Sequence, residues 1–343
     1  MGYIVEQYAD KRAGLVFAGN RNAIWHRLGE QALPDDTAPV LAKKARMDFT
    51  VAKGRAFARV GGGELRETDR YFVYREDTGD VLSPVVVSDQ YNLHGIQPVE
   101  VIDFSMRYVA TDPRFTFSAA GMLDNGARLW ATAQFKAGET LKIAGETHLA
   151  YLLMSTTYDA SAPTTASLSI TRAICDNTLA AALGDKRAMI KIRHNSKFHA
   201  ETVAKDLASV AQGVDMYKAV GDAMAAFEVS KEMASRFFRE CLDIPFDAKM
   251  KDVSTRKLNQ FYALNDAYKQ SVQEGAPKLS AWALLQGLTR YVDHDRSTRN
   301  TGGDESAKRF QSAQFGSGAQ LKSTGMDILQ RVLRDAGKMP VTA

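Results

Sequence analysis

The sequence predicts an α+β fold, in which an antiparallel β-meander with packed helices is followed by a helical C-terminal region. Two observations lead to this prediction. Short β-branched and aromatic runs, separated by turn residues, follow one another up to about residue 200. Ala-rich amphipathic segments then follow one another to the C-terminus. We therefore predict a β-rich N-terminal domain over residues 1–200 and a helical C-terminal region over residues 201–343.

The first predicted elements are two short strands and a helix. The strands lie at Arg70–Arg75 and Val85–Val87, and turn residues bound both of them. The helix begins at Pro98, its apolar residues return at helical spacing, and Asp112-Pro113 ends it.

A β-hairpin is the clearest local pattern in the sequence. Apolar and polar residues alternate over Phe115–Ala120 and Arg128–Phe135, and Asp124-Asn125-Gly126 lies between the two runs. Asn and Gly both tolerate positive φ, which favours a tight turn. The second strand has an apolar and a polar face, which carry Leu129, Ala131, Ala133 and Phe135 on one side and Arg128, Trp130, Thr132 and Gln134 on the other. We therefore expect helices to cover one face of the sheet.

Further strands and one helix complete the predicted N-terminal domain. The strands are Thr140–Ile143, Leu149–Thr156 and Thr164–Thr171, and the helix covers Arg172–Leu183 and ends at Gly184. In the C-terminal region we predict helices at 201–227, 230–242, 254–273, 279–292 and Ser323–Ala336.

The composition excludes several classes of protein. With 45% hydrophobic and 24% charged residues, the 343-residue chain is not broadly disordered. It has no run of about 18 apolar residues, and Met1–Asp10 does not resemble a signal peptide. Cys175 and Cys241 cannot form a disulfide framework and lack zinc-ligand spacing. We expect a cytoplasmic protein with no membrane partner.

The net charge is concentrated in one segment. The whole chain carries +4, and residues 170–200, with six basic and two acidic residues, carry that entire excess. Within it, Lys186–His199 contains five Lys or Arg and two His residues, interleaved with Met189, Ile190, Ile192 and Phe198. A solvated surface run is one interpretation. The other is a strand or irregular arm whose cationic edge neutralises phosphates, and Arg128 and Trp130 of the hairpin would add a cation and a stacking ring.

Signatures of enzymes are scarce. Gly61-Gly62-Gly63 lacks the spacing of a phosphate-binding loop or a dinucleotide fingerprint, and we interpret it as a turn. Asp293-His294-Asp295 is the best metal-ligand pattern, but a cluster of Asp–Arg salt bridges with Arg296 and Arg299 explains it more simply. We therefore predict no catalytic residues, no metal site and no cofactor.

Several blocks of the sequence resemble a family of phage- and plasmid-encoded proteins of unknown function. The hairpin with its Arg-x-Trp ending, the Arg-x-x-Cys-x-Asn-Thr-Leu block and a basic Arg-His segment carry the resemblance, at residues 120–130, 171–179 and 191–194. Residues 291–294 and 315–318 also match the C-terminal half of such proteins. One departure is Tyr158-Asp159-Ala160-Ser161, which stands where the family usually has His-Asp-Gly-Ser and so removes a candidate catalytic histidine.

The resemblance implies a mobile-element context in a bacterial host cell, among proteins that handle DNA. The predicted layout is also similar in outline to single-strand annealing proteins, which hold the phosphate backbone in a cationic groove, leave the bases free to pair, and act as homo-oligomeric rings or filaments. Such proteins need no catalytic residues.

The leading hypothesis is therefore a protein that binds single-stranded DNA and promotes strand annealing in recombination or DNA protection. Its candidate binding residues in the N-terminal domain are Arg128, Trp130, Arg172, Asn177, Lys186, Arg187, Lys191, Arg193, His194 and Lys197. Two alternatives stay open. One is a metal-dependent nuclease or hydrolase that uses Asp159, Asp176, His194 or the residues 293–295, and the other is a protein-interaction factor directed against host defence.

Overall fold

The computed structural model shows the α+β architecture that the sequence predicts. It describes residues 13–19, 29–111, 115–136, 141–159, 163–172, 178–180, 189–192, 214, 216–297, 309, 312–313 and 316–340. A sheet that is antiparallel except for one parallel pair of short strands occupies the N-terminal part of the chain, and helices form the C-terminal part.

In the N-terminal part, the described residues form strands and two α-helices. In chain order these are β1 (Leu15–Phe17), β2 (Glu30–Gln31), α1 (Ala38–Lys44), β3 (Val51–Arg59), β4 (Leu65–Arg75), α2 (Pro98–Thr111), β5 (Phe115–Leu123), β6 (Arg128–Phe135), β7 (Leu141–Ile143), β8 (Glu146–Thr157), β9 (Thr164–Arg172), β10 (Thr178–Ala180) and β11 (Met189–Ile192). The main sheet has the order β10-β9-β8-β6-β5-β1-β2, with β7 paired to β8 and β11 paired to β9. A separate two-stranded sheet is formed by β3 and β4.

The β5–β6 hairpin confirms the strongest local prediction. Leu123 pairs with Arg128, so four residues connect the strands. Asp124, Asn125 and Gly126 all adopt positive φ, at 53°, 55° and 94°. At position 126 a Cβ atom would also lie 2.6 Å from the ring of Phe49, so glycine is required there for space as well as for backbone conformation.

The main sheet is buried on both faces, which corrects the expectation of one covered face. On β6, Leu129 and Ala131 lie on one face and Trp130 and Thr132 on the other, and each is at most 1% exposed. The helix α2 packs against β5 and β6. Thr132 is accommodated in the interior because its hydroxyl donates to the carbonyl oxygen of Ala119, at 3.3 Å. The middle of a strand that alternates apolar with small or aromatic residues can therefore be buried on both faces, as residues 129–133 are.

The helical region follows the predicted segments, except that its last helix begins at Ser317, six residues before the predicted Ser323. Its described helices are α3 (216–226), α4 (Lys231–Cys241), α5 (Thr255–Gln273), α6 (Ala281–Arg290) and α7 (Ser317–Asp335). Ser230 and Ser280 cap α4 and α6, since their hydroxyls accept hydrogen bonds from the backbone N–H groups of the first turns. The prediction for 201–213 lies outside the described residues.

The predicted helix over Arg172–Leu183 is wrong at the residues of this range that the structure describes. Arg172, the expected start of a helix, is the last residue of β9, and Thr178–Ala180 form β10, which pairs with β9. The register places Leu179 opposite Ile170. Pairing at a sheet edge thus outweighs the helical preference of this Ala- and Leu-containing segment.

The sheet and the helical region share a hydrophobic core. Trp282 of α6 is fully buried, and its ring lies edge-on to those of His148 and Tyr217, with centroids 5.4 and 6.1 Å away. Its indole N–H donates to a carboxylate oxygen of Glu146 at 3.4 Å. Helix α6 is therefore attached to the β7–β8 hairpin. The predicted domain boundary at residue 200 lies outside the described residues.

A buried ion pair joins the end of α6 to α7. After α6 the chain forms a π-helical turn, Tyr291–Asp295, from which Asp293 extends to Lys322 at 2.8 Å. The side chains are 8% and 2% exposed. Asp293 is thus paired with a lysine of α7, a partner that the sequence did not suggest, and Arg299, one of the two arginines it did suggest, lies outside the described residues. Across the described helices, none is both long enough and apolar enough to cross a membrane.

Replacing Lys322 by Met should strongly destabilise the fold. The substitution leaves the carboxylate of Asp293 buried without its cation, which typically costs about 3–5 kcal/mol. Denaturant unfolding, followed by circular dichroism, measures the change. Lys218→Met is the control, because Lys218 forms an exposed ion pair with Asp222 that should contribute less than about 1 kcal/mol. Equal free energies of unfolding for the two variants would contradict the buried-pair interpretation.

Candidate nucleic-acid interface

Arg128, the first predicted binding residue, is already ion-paired. Its guanidinium lies 2.7 Å from the carboxylate of Asp159 and 3.2 Å from that of Asp124, and its side chain is 18% exposed. Contact with a phosphate would require Arg128 to exchange these partners. We therefore assign it to the structure of the hairpin end rather than to the interface.

Trp130 has a position that does not fit the predicted stacking role. It is 1% exposed, and its ring packs so closely over Gly121 of the neighbouring strand that a Cβ there would lie 2.8 Å from the indole. No face of the ring is open to a base in this arrangement. The tryptophan belongs to the interior of the sheet, and glycine at position 121 makes room for it.

The described part of the predicted basic segment, Met189–Ile192, lies at the edge of the main sheet. This strand, β11, contains Lys191 and pairs antiparallel with β9, opposite Thr164–Ser167, and β10 pairs with the following residues of β9. These residues therefore form a strand, which is one of the two forms that the sequence allowed for the segment. Arg172 ends β9. The remaining predicted positions lie outside the described residues, namely Asn177, Lys186, Arg187, Arg193, His194 and Lys197.

The residues considered for metal-dependent chemistry are engaged elsewhere or not described. Asp159 is paired with Arg128, and Asp293 is paired with Lys322. Burial raises the pKa of Asp295 above its ordinary value, which disfavours its charged form. Asp176 and His194 lie outside the described residues. Within the described ranges, no three His, Cys, Asp or Glu side chains are grouped so that they could hold a metal ion.

The exposed basic surface that the structure does describe lies on the β3–β4 hairpin, residues 51–75, which we call the β-arm. The base of the β-arm is anchored, because Val51 and Val73 belong to the hydrophobic core. Its outer half is exposed, with Phe57 at 55% and Leu65 at 61% exposure. A turn of three exposed glycines, Gly61–Gly63, closes the tip.

Cations and aromatic rings share one face of the β-arm. The ammonium of Lys53 and the guanidinium of Arg55 lie 5.2 and 4.8 Å from the centre of the Tyr71 ring. The register is irregular between Arg55 and Phe57, but Arg55 also contacts Glu67, the cross-strand partner of Phe57, so Phe57 and Arg59 lie on this same side of β3. The β-arm as a whole contains six basic and three acidic residues, a net charge of +3.

The ion pairs within the β-arm are exposed and therefore weak. Arg55 lies 3.1 Å from Glu67, with both side chains about half exposed, and Arg66 lies 3.4 Å from Glu64. Pairs of this kind contribute about 0–1 kcal/mol, so their cations can exchange a carboxylate for another anion. Arg59 is exposed and forms no ion pair with any residue that the structure describes. Arg55 and Arg59 of this face can thus each accept a phosphate group, whereas the ammonium of Lys53 donates to the carbonyl oxygen of Asp89 at 2.6 Å.

Arg75 fixes the orientation of the β-arm. Its guanidinium donates to both carboxylate oxygens of Asp77, at 2.7 and 3.0 Å, and to the backbone oxygen of Asn125, at 3.1 Å. It also lies 3.8 Å from the centre of the Phe49 ring. The hydrogen bonds from Arg75 hold the pKa of Asp77 below its ordinary value, so this carboxylate stays charged. Asn125 belongs to the β5–β6 turn, and the β-arm is therefore tied to the main sheet.

A side chain of the segment before α2 supports the same junction. The amide of Gln97 donates to the carbonyl oxygen of Val51 and accepts from its N–H, both at 2.9 Å. The backbone N–H and carbonyl groups of Val51 therefore both have hydrogen-bond partners, which a neighbouring strand would otherwise supply. Together, Gln97 and Arg75 hold the base while the tip remains exposed.

Sequence reasoning recognised only part of β4 and missed β3. A signal was present, since Lys53, Arg55 and Arg59 recur on one face around Phe57. It was weak because the intervening positions are Gly54, Ala52, Ala56 and Ala58, which have low β propensity.

Comparison with known proteins gives one match. The profile of a domain of unknown function (DUF932) matches residues 85–314, which is more than half of the 343-residue chain. No curated protein and no solved structure matches the chain. The β-arm precedes the matched range.

Replacing Arg75 by Lys should loosen the base of the β-arm. Lysine keeps the charge but loses the two-point contact with Asp77 and the flat contact with Phe49. We expect the free energy of unfolding to fall by about 1–3 kcal/mol and the amides of β3 and β4 to exchange hydrogen faster than those of β5 and β6. Arg66→Lys, at an exposed position of the same hairpin, is the control and should change neither quantity. Unchanged amide exchange in the Arg75 variant would refute the role of this residue as the anchor.

Proposed function

Because the chain belongs to the DUF932 family, which is described only as a domain of unknown function, we propose a function from the charge and exposure of its surfaces. We propose that the protein binds single-stranded DNA and promotes the annealing of complementary strands. The context would be recombination or DNA protection in a phage, prophage or plasmid, and the active form a homo-oligomeric ring or filament.

The cationic and aromatic face of the β-arm is the observation that carries this proposal. Along β3, Arg55 follows Lys53 by two residues and Arg59 follows Arg55 by four. Positions two apart in a strand are separated by about 6.6–6.8 Å. An extended single strand presents phosphates at comparable intervals along one side. The exposed ring of Phe57 lies on the same face, where a base can stack on it.

The edge of the main sheet supports a second contact. The basic segment that the sequence places at residues 186–199 enters the sheet through β11, and we include Arg172, Asn177, Lys186, Arg187, Lys191, Arg193, His194 and Lys197 in the proposed interface. Arg128 and Trp130 are not included, because the first is ion-paired and the second is buried. Binding through the phosphate backbone leaves the bases free to pair, which is what annealing requires.

Charge reversal on the β-arm tests the proposal directly. In the variant Arg55→Glu with Arg59→Glu, two phosphate contacts are lost, so we expect weaker binding of labelled oligo-dT. The slope of log K against log salt should become shallower by about 1.4, since each contact to a single strand contributes about 0.7. Fluorescence anisotropy over a salt titration measures both effects.

A matched control separates a local contact from a general effect of charge. Arg107→Glu with Lys269→Glu changes the net charge by the same amount at two exposed positions on α2 and α5. This control should bind oligo-dT like the natural protein. If both double variants weaken binding equally, the β-arm is not the interface.

The sheet-edge contact has its own test. Lys191→Glu with Arg193→Glu should abolish retention of single-stranded DNA while the thermal unfolding transition stays in place, because the reversed charges repel phosphates. Retention on an oligo-dT column at low salt gives the first readout, and a melting curve gives the second. Normal retention with a salt dependence like that of the natural protein would exclude this segment from binding.

A further inference from the structure

A second exposed aromatic ring with a cation lies in the helical region, after α4. Phe246 is 57% exposed, and the guanidinium of Arg236 lies 4.1 Å from the centre of its ring. An open groove of about 490 Å³, which we call the α4 groove, lies beside this pair. Its lining residues are Arg236, Arg239, Glu240, Asp243, Ile244, Pro245 and Phe246.

The loop that carries Phe246 is held in one conformation by Arg239. One guanidinium nitrogen of Arg239 donates to the carbonyl oxygens of Pro245, Phe246 and Ala248, at 2.9, 3.2 and 3.1 Å. The other terminal nitrogen lies 3.1 Å from the sulfur of Met250. The ring of Phe246 is therefore presented to solvent by a fixed loop, and a ligand that binds it needs to order little of the chain.

The α4 groove is lined by two arginines and two carboxylates, and each carboxylate has a further cation beside it. Glu240 is neutralised by Arg331 at 2.6 Å, and Asp243 lies 3.3 Å from the ammonium of Lys257. Arg239 is bonded to carbonyl oxygens, and Arg236 forms no ion pair with a described carboxylate. An anionic group can thus approach Arg236 without displacing a carboxylate from it.

We propose that the α4 groove binds one nucleotide of a single strand, with its base stacked on the Arg236–Phe246 pair and its phosphate beside Arg236. Aromatic rings and guanidinium planes are the surfaces on which unpaired bases stack in proteins. The guanidinium of Arg236, which forms no ion pair with a described carboxylate, can contact a phosphate, whereas a duplex would keep its bases stacked inside the helix and unavailable to Phe246. This site rests on the proposed single-strand function, and it lies within the part of the chain that matches the family profile.

Phe246→Ala in the full-length protein tests the site with labelled oligo-dT. Loss of one base-stacking contact typically costs about 1–3 kcal/mol, so we expect the dissociation constant to rise about 5- to 150-fold at fixed salt. Arg236→Gln should make the salt slope shallower by about 0.7, because one phosphate contact is lost. Tyr262→Ala is the matched control, since Tyr262 is a similarly exposed aromatic residue on α5, at 55%, and its loss should leave binding unchanged.

Phe246→Trp provides a readout that does not depend on removing the ring. The indole preserves the stacking surface, so oligo-dT should bind with near-natural affinity and quench the fluorescence of the added tryptophan. Absence of quenching, together with natural affinity in Phe246→Ala, would overturn the site. Reduced self-association of Phe246→Ala with unchanged DNA binding would also overturn it and would indicate a protein contact instead.

These experiments also distinguish failure of the α4 groove from failure of the proposed function. If the natural protein binds no oligo-dT, both proposals fail together. If the natural protein binds and the β-arm double variant weakens binding, but Phe246→Ala does not, then only the α4 groove is excluded.

Discussion

The contact between Arg75 and the β5–β6 turn determines how the two sheets of this protein are arranged. No strand of the β-arm pairs with the main sheet in the part of the chain that is described, so backbone hydrogen bonds between strands cannot set its position. Arg75 connects the two sheets instead through a bond to Asn125 and a flat contact with Phe49, and its two-point bond to the nearby Asp77 holds the guanidinium in place. The same ring of Phe49 covers Gly126, and a larger residue there would displace it. Any function of the exposed β-arm depends on this small junction.

Local patterns predicted the elements whose signals lie close together in the sequence. Strands β5 and β6 were evident from their alternation around Asp124-Asn125-Gly126, and the start of α2 from Pro98. The helix expected after Arg172 was wrong because pairing with β9, a long-range contact, decides the conformation of Thr178–Ala180. Burial of Trp130 was likewise set by the space above Gly121 on a neighbouring strand, which the sequence of β6 does not record.

The candidate interface was only partly predictable from the sequence, because a sequence gives the charge along the chain and not its distribution over the folded surface. Outside residues 170–200 the formal charge sums to zero, so the net +3 of the β-arm is offset by acidic residues elsewhere and was not apparent. The structure separates these charges in space. Ring contacts with Tyr71 and the exposure of Phe57 then distinguish the β-arm from an ordinary solvated strand pair. In the helical region, the fixed loop around Phe246 likewise distinguishes the α4 groove from an ordinary surface loop.

The Gly61–Gly63 tip has a practical consequence for handling the molecule. No atom outside the immediate chain neighbours lies within 4 Å of a Cβ placed on any of the three glycines, and two of them adopt positive φ. Added residues there would enter solvent and leave the anchored base undisturbed, since exposed loop tips tolerate insertion well. A short peptide tag or a fluorophore attachment site at this turn would therefore sit at the far end of the hairpin, and it offers a position for labelling the protein without altering its core.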